Sequence, residues 1–106
     1  MWFLITAIYL LYAPNQSLVC QVYGSVYEVN EPYLADLIIF EELSEVTADL
    51  LVYEQQNRLY ANKPGMWYFE DKKDFARFNI YFTPNKSEAD FIVYFTEFES
   101  FAGCSR

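Results

Sequence analysis

The feature that most constrains the fold of this chain is a short repeat that occupies most of its length. An alanine opens each copy, and successive alanines stand 13, 13, 15, 13 and 13 residues apart: Ala35, Ala48, Ala61, Ala76, Ala89 and Ala102. A degenerate copy begins at Val22, and the longer interval contains Lys63-Pro64-Gly65, a predicted turn insertion. One copy is too short to bury its own apolar face. Six copies and a terminal stub must therefore cover one another across residues 22–103.

Each copy contains a β-branched and aromatic run, which predicts a short strand. The central pairs are Val26-Tyr27, Ile39-Phe40, Val52-Tyr53, Trp67-Tyr68, Ile80-Tyr81 and Val93-Tyr94. Since side chains alternate along a strand, the repeat separates two faces. The face predicted to be core comprises Leu37, Ile39, Leu50, Val52, Trp67, Phe69, Phe78, Ile80, Phe82, Phe91, Val93 and Phe95. The other face, here called the aromatic column, comprises Tyr27, Phe40, Tyr53, Tyr68, Tyr81 and Tyr94.

The connections between the predicted strands are polar and short. A parallel crossover usually needs a dozen or more residues, and none of these connections is long enough for its helix. We therefore predict a mainly β domain of six short strands, arranged as an antiparallel meander or a small barrel or sandwich. A tight β-solenoid is the alternative. Because open edges invite pairing, we expect the Val26 strand to approach the Val93 strand and close the sheet, or an edge-strand homodimer to form.

The first 20 residues differ in kind from the repeat. Residues 1–13 are apolar and carry no charged side chain, and they are too few to span a bilayer, which takes about 20 residues in a helix. They are typical of a signal peptide that forms an apolar N-terminal helix. We therefore predict a leader over residues 1–20, a β-repeat domain over residues 21–106, and a periplasmic or extracellular location.

The two cysteines at the ends of the repeat leave alternatives open. Ser17-Leu18-Val19-Cys20 loosely resembles a bacterial lipobox, in which case Cys20 carries a lipid and anchors the protein at the outer membrane. If both cysteines survive processing in an oxidising compartment, Cys20 and Cys104 pair and fasten the two ends together. Removal of the leader after Cys20 instead leaves Cys104 unpaired.

The charge of the chain excludes some partners. Its 7 basic residues are outnumbered by 15 acidic ones, and the formal net charge of −8 belongs wholly to the repeat region. Nucleic acids and anionic membranes select clustered Lys and Arg, so neither is expected as a partner. A membrane contact is expected only through the leader or a lipid on Cys20. An acidic surface favours a basic protein partner.

The sequence offers little for catalysis. It contains no histidine and only 3 glycines, so neither a nucleophile–histidine pair nor a glycine-rich phosphate loop can be assembled. Paired carboxylates occur at Glu41 with Glu42 and at Glu97 with Glu99, in polar connections where solvated side chains are expected. We predict no enzyme activity, no cofactor and no metal site.

An aspartate follows the anchoring alanine at Asp36, Asp49 and Asp90. We predict that each side chain accepts a backbone N–H as the chain turns into the strand. The alternative is a ladder of carboxylates that binds calcium. Calcium requires about six to eight converging oxygens, and Asn62 and Arg77 interrupt the series.

The aromatic column is the feature most able to contact a partner. Evenly spaced rings stack on sugar faces, so the alternative function is a carbohydrate-binding module that uses Tyr53, Tyr68, Tyr81 and Tyr94. A buried column, as a second core face or a barrel interior, is favoured because an exposed aromatic patch on a small domain is a liability. The leading hypothesis is therefore an exported, non-catalytic domain that binds a protein partner or belongs to the cell envelope.

The best-preserved copy of the repeat is Ser87-Glu88-Ala89-Asp90-Phe91-Ile92-Val93-Tyr94-Phe95, and Gly65-Met66-Trp67-Tyr68-Phe69 and Phe101-Ala102-Gly103 extend the pattern. With these residues aligned, residues 22–103 resemble a family of small bacterial proteins made of tandem Ala-Asp-hydrophobic-x-Val-Tyr-Phe units. The resemblance implies a repeat-based fold and a bacterial source, and no chemistry, because no activity is established for that family. The irregular connections, the apolar leader and Cys104 depart from the pattern and suggest an exported, diverged member.

Overall fold

The computed structural model describes residues 19–104, and the account below concerns that part of the chain. Its strands are β1 (Gly24–Glu28), β2 (Leu37–Glu41), β3 (Leu50–Glu54), β4 (Met66–Phe69), β5 (Phe78–Phe82), β6 (Phe91–Phe95) and β7 (Gly103–Cys104). Between them lie single 3-10 turns at Pro32–Leu34, Glu45–Thr47, Arg58–Tyr60, Lys73–Phe75, Lys86–Glu88 and Glu99–Phe101.

The six longer strands close into a ring in which every pairing is parallel. Its order is β4-β1-β5-β2-β6-β3, and β3 returns to β4. The short β7 pairs antiparallel with β3. The predicted small barrel is therefore confirmed. The antiparallel meander and the solenoid are both wrong, because β3 and β4 are the one pair of barrel strands adjacent both in the chain and in the ring.

Parallel pairing with short connections is possible because each strand ends level with the start of the next. Ile80 of β5 pairs with Glu28, the last residue of β1, on one side and with Leu37, the first residue of β2, on the other. The connection therefore moves sideways across a single strand, about 10 Å. Val93 occupies the same place between the end of β2 and the start of β3. The expectation of a long crossover assumes a return along the whole strand, and this stagger removes that return.

The same stagger interleaves the two halves of the chain. Strands β1, β2 and β3 make one circuit of the ring, and β4, β5 and β6 take the places between them in a second circuit. Because side chains fill the interior, residues 29–36 pass outside β5, and residues 70–77 pass outside β1. Each half therefore runs beneath connections of the other. The step from β3 to β4 joins ring neighbours and contains the predicted turn Lys63-Pro64-Gly65.

The barrel interior is filled in layers set by the repeat. The central residue of each strand is fully buried, and these side chains form the middle layer: Val26, Ile39, Val52, Trp67, Ile80 and Val93. Trp67 is the largest of them and donates its indole N–H to the Val22 carbonyl (3.1 Å). The predicted core face is confirmed, since all of its residues belong to the core cluster or pack against it.

The aspartates after the anchoring alanines fasten the connections to the strands that they cross. Asp49 donates its backbone N–H to the Ile92 carbonyl (2.8 Å), and its Oδ2 accepts the Ile92 N–H (2.9 Å). Asp36 and Asp90 form the same reciprocal pair of hydrogen bonds with β5 and β2. The predicted acceptor role is confirmed. The donor, however, belongs to a distant strand rather than to the local turn.

A disulfide between Cys20 and Cys104 joins the two ends of the described chain, so the interpretation in which the cysteines pair holds in the structure. Val19 packs against the core, and Cys104 pairs with Leu50 of β3. The predicted apolar N-terminal helix falls almost wholly on residues 1–18, outside the described residues. Within them, Val19 and Cys20 alone are α-helical, which gives that prediction no support.

Closure of the ring leaves no open edge among the six barrel strands. The closing contact joins β3 to β4, whereas the Val26 and Val93 strands do not pair. The expected contact between those two strands is therefore wrong, because the stagger sets the ring order and the chain order does not. Among residues 19–104, no helix is both long and apolar enough to cross a bilayer.

Candidate functional site

Alternating carboxylates and aromatic rings surround one end of the barrel, here called the mouth. The last residue of each barrel strand stands two positions after the buried central residue and therefore belongs to the same face. In β1, β2 and β3 it is a glutamate: Glu28, Glu41 and Glu54. In β4, β5 and β6 it is a phenylalanine: Phe69, Phe82 and Phe95. Because these two sets of strands alternate in the ring, charge and aromatic surface alternate around the mouth.

The three phenylalanines form the floor of the mouth. The ring centroid of Phe95 lies 6.0 Å from that of Phe82 and 6.2 Å from that of Phe69. Trp67 meets this floor edge-on from the middle layer, 6.2 Å from Phe95 and 6.3 Å from Phe69. Each phenylalanine is half-buried, so the core holds the rings from below and leaves part of their surface open.

The three glutamates surround this floor without partners. Glu28, Glu41 and Glu54 are exposed, and none of their carboxylates has an ion pair or hydrogen bond to another residue among residues 19–104. These exposed carboxylates give the opening a negative charge, which attracts cations.

A fourth carboxylate at the mouth, Glu70, is already paired. Its side chain is 4% exposed and accepts hydrogen bonds from Nε (2.5 Å) and Nη2 (2.9 Å) of Arg58. This charge-assisted bonding raises the pKa of the guanidinium, which remains fully charged. The guanidinium carbon also lies 5.5 Å from the ring centroid of Phe75 and 5.7 Å from that of Tyr68. One guanidinium thus already combines a carboxylate and aromatic rings at this end of the barrel.

Together these groups enclose an open pocket of about 470 Å³. Its lining residues are Tyr27, Glu28, Glu41, Glu54, Phe69, Glu70, Phe82 and Phe95. Carboxylates combined with aromatic faces bind organic cations, such as ammonium and guanidinium groups, through charge and cation–π attraction. A metal ion fits less well, since no set of three or more Asp, Glu, His or Cys side chains in residues 19–104 is placed to hold one.

The four tyrosines considered for carbohydrate binding lie on the outside of the barrel, three of them on adjacent strands. Tyr53, Tyr68, Tyr81 and Tyr94 lie on the outer faces of β3, β4, β5 and β6, and each is half-buried. Strands β6, β3 and β4 are consecutive in the ring, so Tyr94, Tyr53 and Tyr68 lie on neighbouring strands. Tyr81 lies apart from them, because β1 separates β5 from β4 and β2 separates β5 from β6. The interpretation of the column as a barrel interior or second core face is wrong, because the apolar face fills the interior.

In each of the two acidic pairs considered for catalysis, the two carboxylates lie in different surroundings. Glu41 lines the mouth, whereas Glu42 forms an ion pair with Lys86 (3.3 Å). Glu99 accepts a hydrogen bond from a glutamine side chain (3.2 Å), and Glu97 lines a separate surface pocket. The structure therefore gives the two members of each pair separate contacts.

A pattern in the sequence marks the residues of the mouth, but its meaning depends on the strand order. The residue after the central pair is glutamate in the first three copies and phenylalanine in the last three. From the sequence alone Glu41 is predicted to lie in a polar connection, whereas in the structure it is the last residue of β2. The alternation of the two residue types appears only when the strand order is known.

Comparison with the curated proteins and with the solved structures finds no match to this chain. A family model matches residues 19–105, which is most of the chain. Its description names a knot, in agreement with two interleaved circuits of strands whose connections cross over one another. Knotted chains are rare among proteins, which makes this agreement specific. On this evidence the chain belongs to the 7(1) septoil knot domain family.

Proposed function

We propose that this domain is a non-catalytic binding module that receives a lysine or arginine side chain of a protein partner in the barrel mouth. The observation that carries the proposal is the set of three unpartnered glutamates around a floor of three phenylalanines. The neighbouring pair of Arg58 and Glu70 supports it, because that pair joins the same chemical groups. The mouth lining offers neither imidazole nor thiol, so its chemistry favours binding over catalysis.

The charge of the domain favours a basic partner. A net charge of −8 on a chain of 106 residues steers cationic surfaces towards it and raises their association rate. One exposed carboxylate contributes only about 0–1 kcal/mol to an ion pair. Three such carboxylates line the pocket, and each aromatic face adds roughly 0.5–1 kcal/mol at an exposed site.

Exposed apolar side chains favour a protein over a small free cation. The large ones all lie in the connections: Tyr33, Leu34, Leu43, Val46, Leu59, Tyr60, Phe75, Phe98 and Phe101. Leu43 is 94% exposed and follows the mouth residue Glu41 by two positions. Protein interfaces combine such apolar contacts with charged groups that fix the orientation of the partner.

The disulfide supports a site of action outside the cytoplasm, in or beyond the envelope of a bacterial cell, because disulfides persist in oxidising compartments. The bond requires Cys20 in the mature chain, so a cleaved leader is expected to end before that residue. It also consumes the thiol that a lipid anchor needs. The lipid-anchored form and the disulfide-bonded form therefore exclude each other.

The test compares a triple variant of the mouth with a charge-matched control. The mouth variant is Glu28→Gln, Glu41→Gln and Glu54→Gln, and the control is Glu31→Gln, Glu45→Gln and Glu97→Gln. The ligands are a tri-arginine peptide and a tri-citrulline peptide, which has nearly the same shape without the charge. Binding of each is measured from the backbone amide chemical shifts of the protein. We expect the mouth variant to weaken tri-arginine binding about tenfold relative to the control, a difference of about 1.4 kcal/mol. Equal weakening by the two variants contradicts the proposal.

The carbohydrate alternative gives a different result. If the outer tyrosines bind glycans, a glycan array detects binding that survives the mouth variant and is lost in a folded Tyr68→Ala, Tyr81→Ala variant. Because all four rings are half-buried and β1 separates the strands of Tyr68 and Tyr81, we expect no such binding. Glycan binding that depends on these tyrosines favours the alternative over the proposed protein-binding function.

A further inference from the structure

The disulfide between Cys20 and Cys104 closes a covalent ring around the whole barrel. It joins residues 84 positions apart, so every barrel strand lies between its two cysteines. Both ends of the bond are fixed to the barrel, since Val19 packs against the core and Cys104 pairs with Leu50. The ring is therefore an integral part of the domain and not a link between loose tails.

Inside this ring the chain is threaded through itself. Strand β5 runs beneath residues 29–36, and backbone hydrogen bonds from Val29 and Asp36 fasten both ends of that connection to β5. Strand β1 runs in turn beneath residues 70–77, which are fastened to it in the same way. In a linear chain this threading is undone by withdrawing one end. A covalent ring has no end to withdraw.

We propose that the Cys20–Cys104 bond is a redox-controlled lock on the knot. While the bond is intact, unfolding removes the strands but leaves the knot in the chain. A dithiol reductant breaks the Sγ–Sγ bond, leaves two thiols and is itself oxidised to a disulfide. The chain then has free ends and unthreads. This inference is independent of the barrel mouth.

The order of folding and oxidation consequently decides the outcome. If the bond forms after threading, the unfolded ring is knotted, compact and already threaded for refolding. If the bond forms before threading, the ring is not knotted and cannot reach the native strand order. The two rings have the same covalent structure and differ only in how the chain passes through itself.

Two preparations of the full-length chain test this proposal. One is folded, oxidised and then denatured in concentrated guanidinium without reductant. The other is made by chemical synthesis and oxidised in the same denaturant before it has ever folded. We expect the first to migrate faster in a denaturing, non-reducing gel, and the two to migrate together after reduction with dithiothreitol. Equal mobility of the two oxidised forms overturns the proposal.

Refolding gives a second readout. On dilution from denaturant, the first form is expected to regain the native near-ultraviolet circular dichroism, and the second to regain it only after dithiothreitol is added. Full recovery by the second form without reduction overturns the proposal. Cys20→Ser is the control, because it cannot form the bond and should behave identically in both preparations. If the two preparations of Cys20→Ser differ in mobility or in refolding, the effect comes from the synthesis, and this result also counts against the proposal.

Discussion

The layered core predicts that truncating an isoleucine on the inner face of the barrel destabilises the fold much more than truncating one on the outer face. Ile80 is 0% exposed and belongs to the middle layer, whereas Ile92 lies half-buried on the outer face of β6. Ile→Ala removes three carbon atoms, worth roughly 2.4 kcal/mol of transfer free energy when all of them are buried. The cavity between packed strands adds to this term. We expect Ile80→Ala to lower the free energy of unfolding by about 3–4 kcal/mol and Ile92→Ala to lower it by about 1 kcal/mol.

The assay is guanidinium-induced unfolding of the oxidised protein, followed by near-ultraviolet circular dichroism. Ile92→Ala is a matched control because it has the same chemistry, and the backbone hydrogen bonds of Ile92 with Asp49 do not involve the altered side chain. If Ile80→Ala does not fold, Ile80→Val and Ile92→Val replace the pair, with an expected loss of about 1 kcal/mol at the buried site. Equal losses at the two positions refute the assignment of inner and outer faces.

Asp49→Ala should lower the free energy of unfolding by about 1.5 kcal/mol and Asp49→Asn by less, because the amide keeps an acceptor; denaturant unfolding measures both. Gly65→Ala should lower the unfolding midpoint more than Gly24→Ala, since a Cβ at Gly65 lies 2.4 Å from backbone atoms and one at Gly24 lies 3.3 Å from a flexible side chain; equal midpoints contradict this. Arg58→Met should destabilise more than Arg58→Met with Glu70→Gln, because the single change leaves a buried carboxylate unpaired; the opposite order of midpoints refutes this.

The repeat carries enough information to predict the strands and their buried faces. The period locates each strand, and alternation within it assigns residues such as Ile39 and Val93 to the interior. The strand order is not predictable in the same way, because five of its six pairings join residues about 40 or 50 positions apart. The pairings of Glu28 and Leu37 with Ile80 are what make a short parallel connection possible. No local sequence pattern around Glu28 or Leu37 indicates that both residues pair with Ile80.

The mouth cannot be predicted from the sequence for the same reason, because it depends on the strand order. Glutamate ends the strands of the first half, as in Glu54, and phenylalanine ends those of the second half, as in Phe69. In a ring that followed the chain order, the glutamates would occupy three adjacent strands about 5 Å apart, and their charges would repel directly. Interleaving instead places a phenylalanine between each two glutamates around the ring. Carboxylate and aromatic surface therefore alternate around the whole mouth, a combination that neither half of the chain supplies alone.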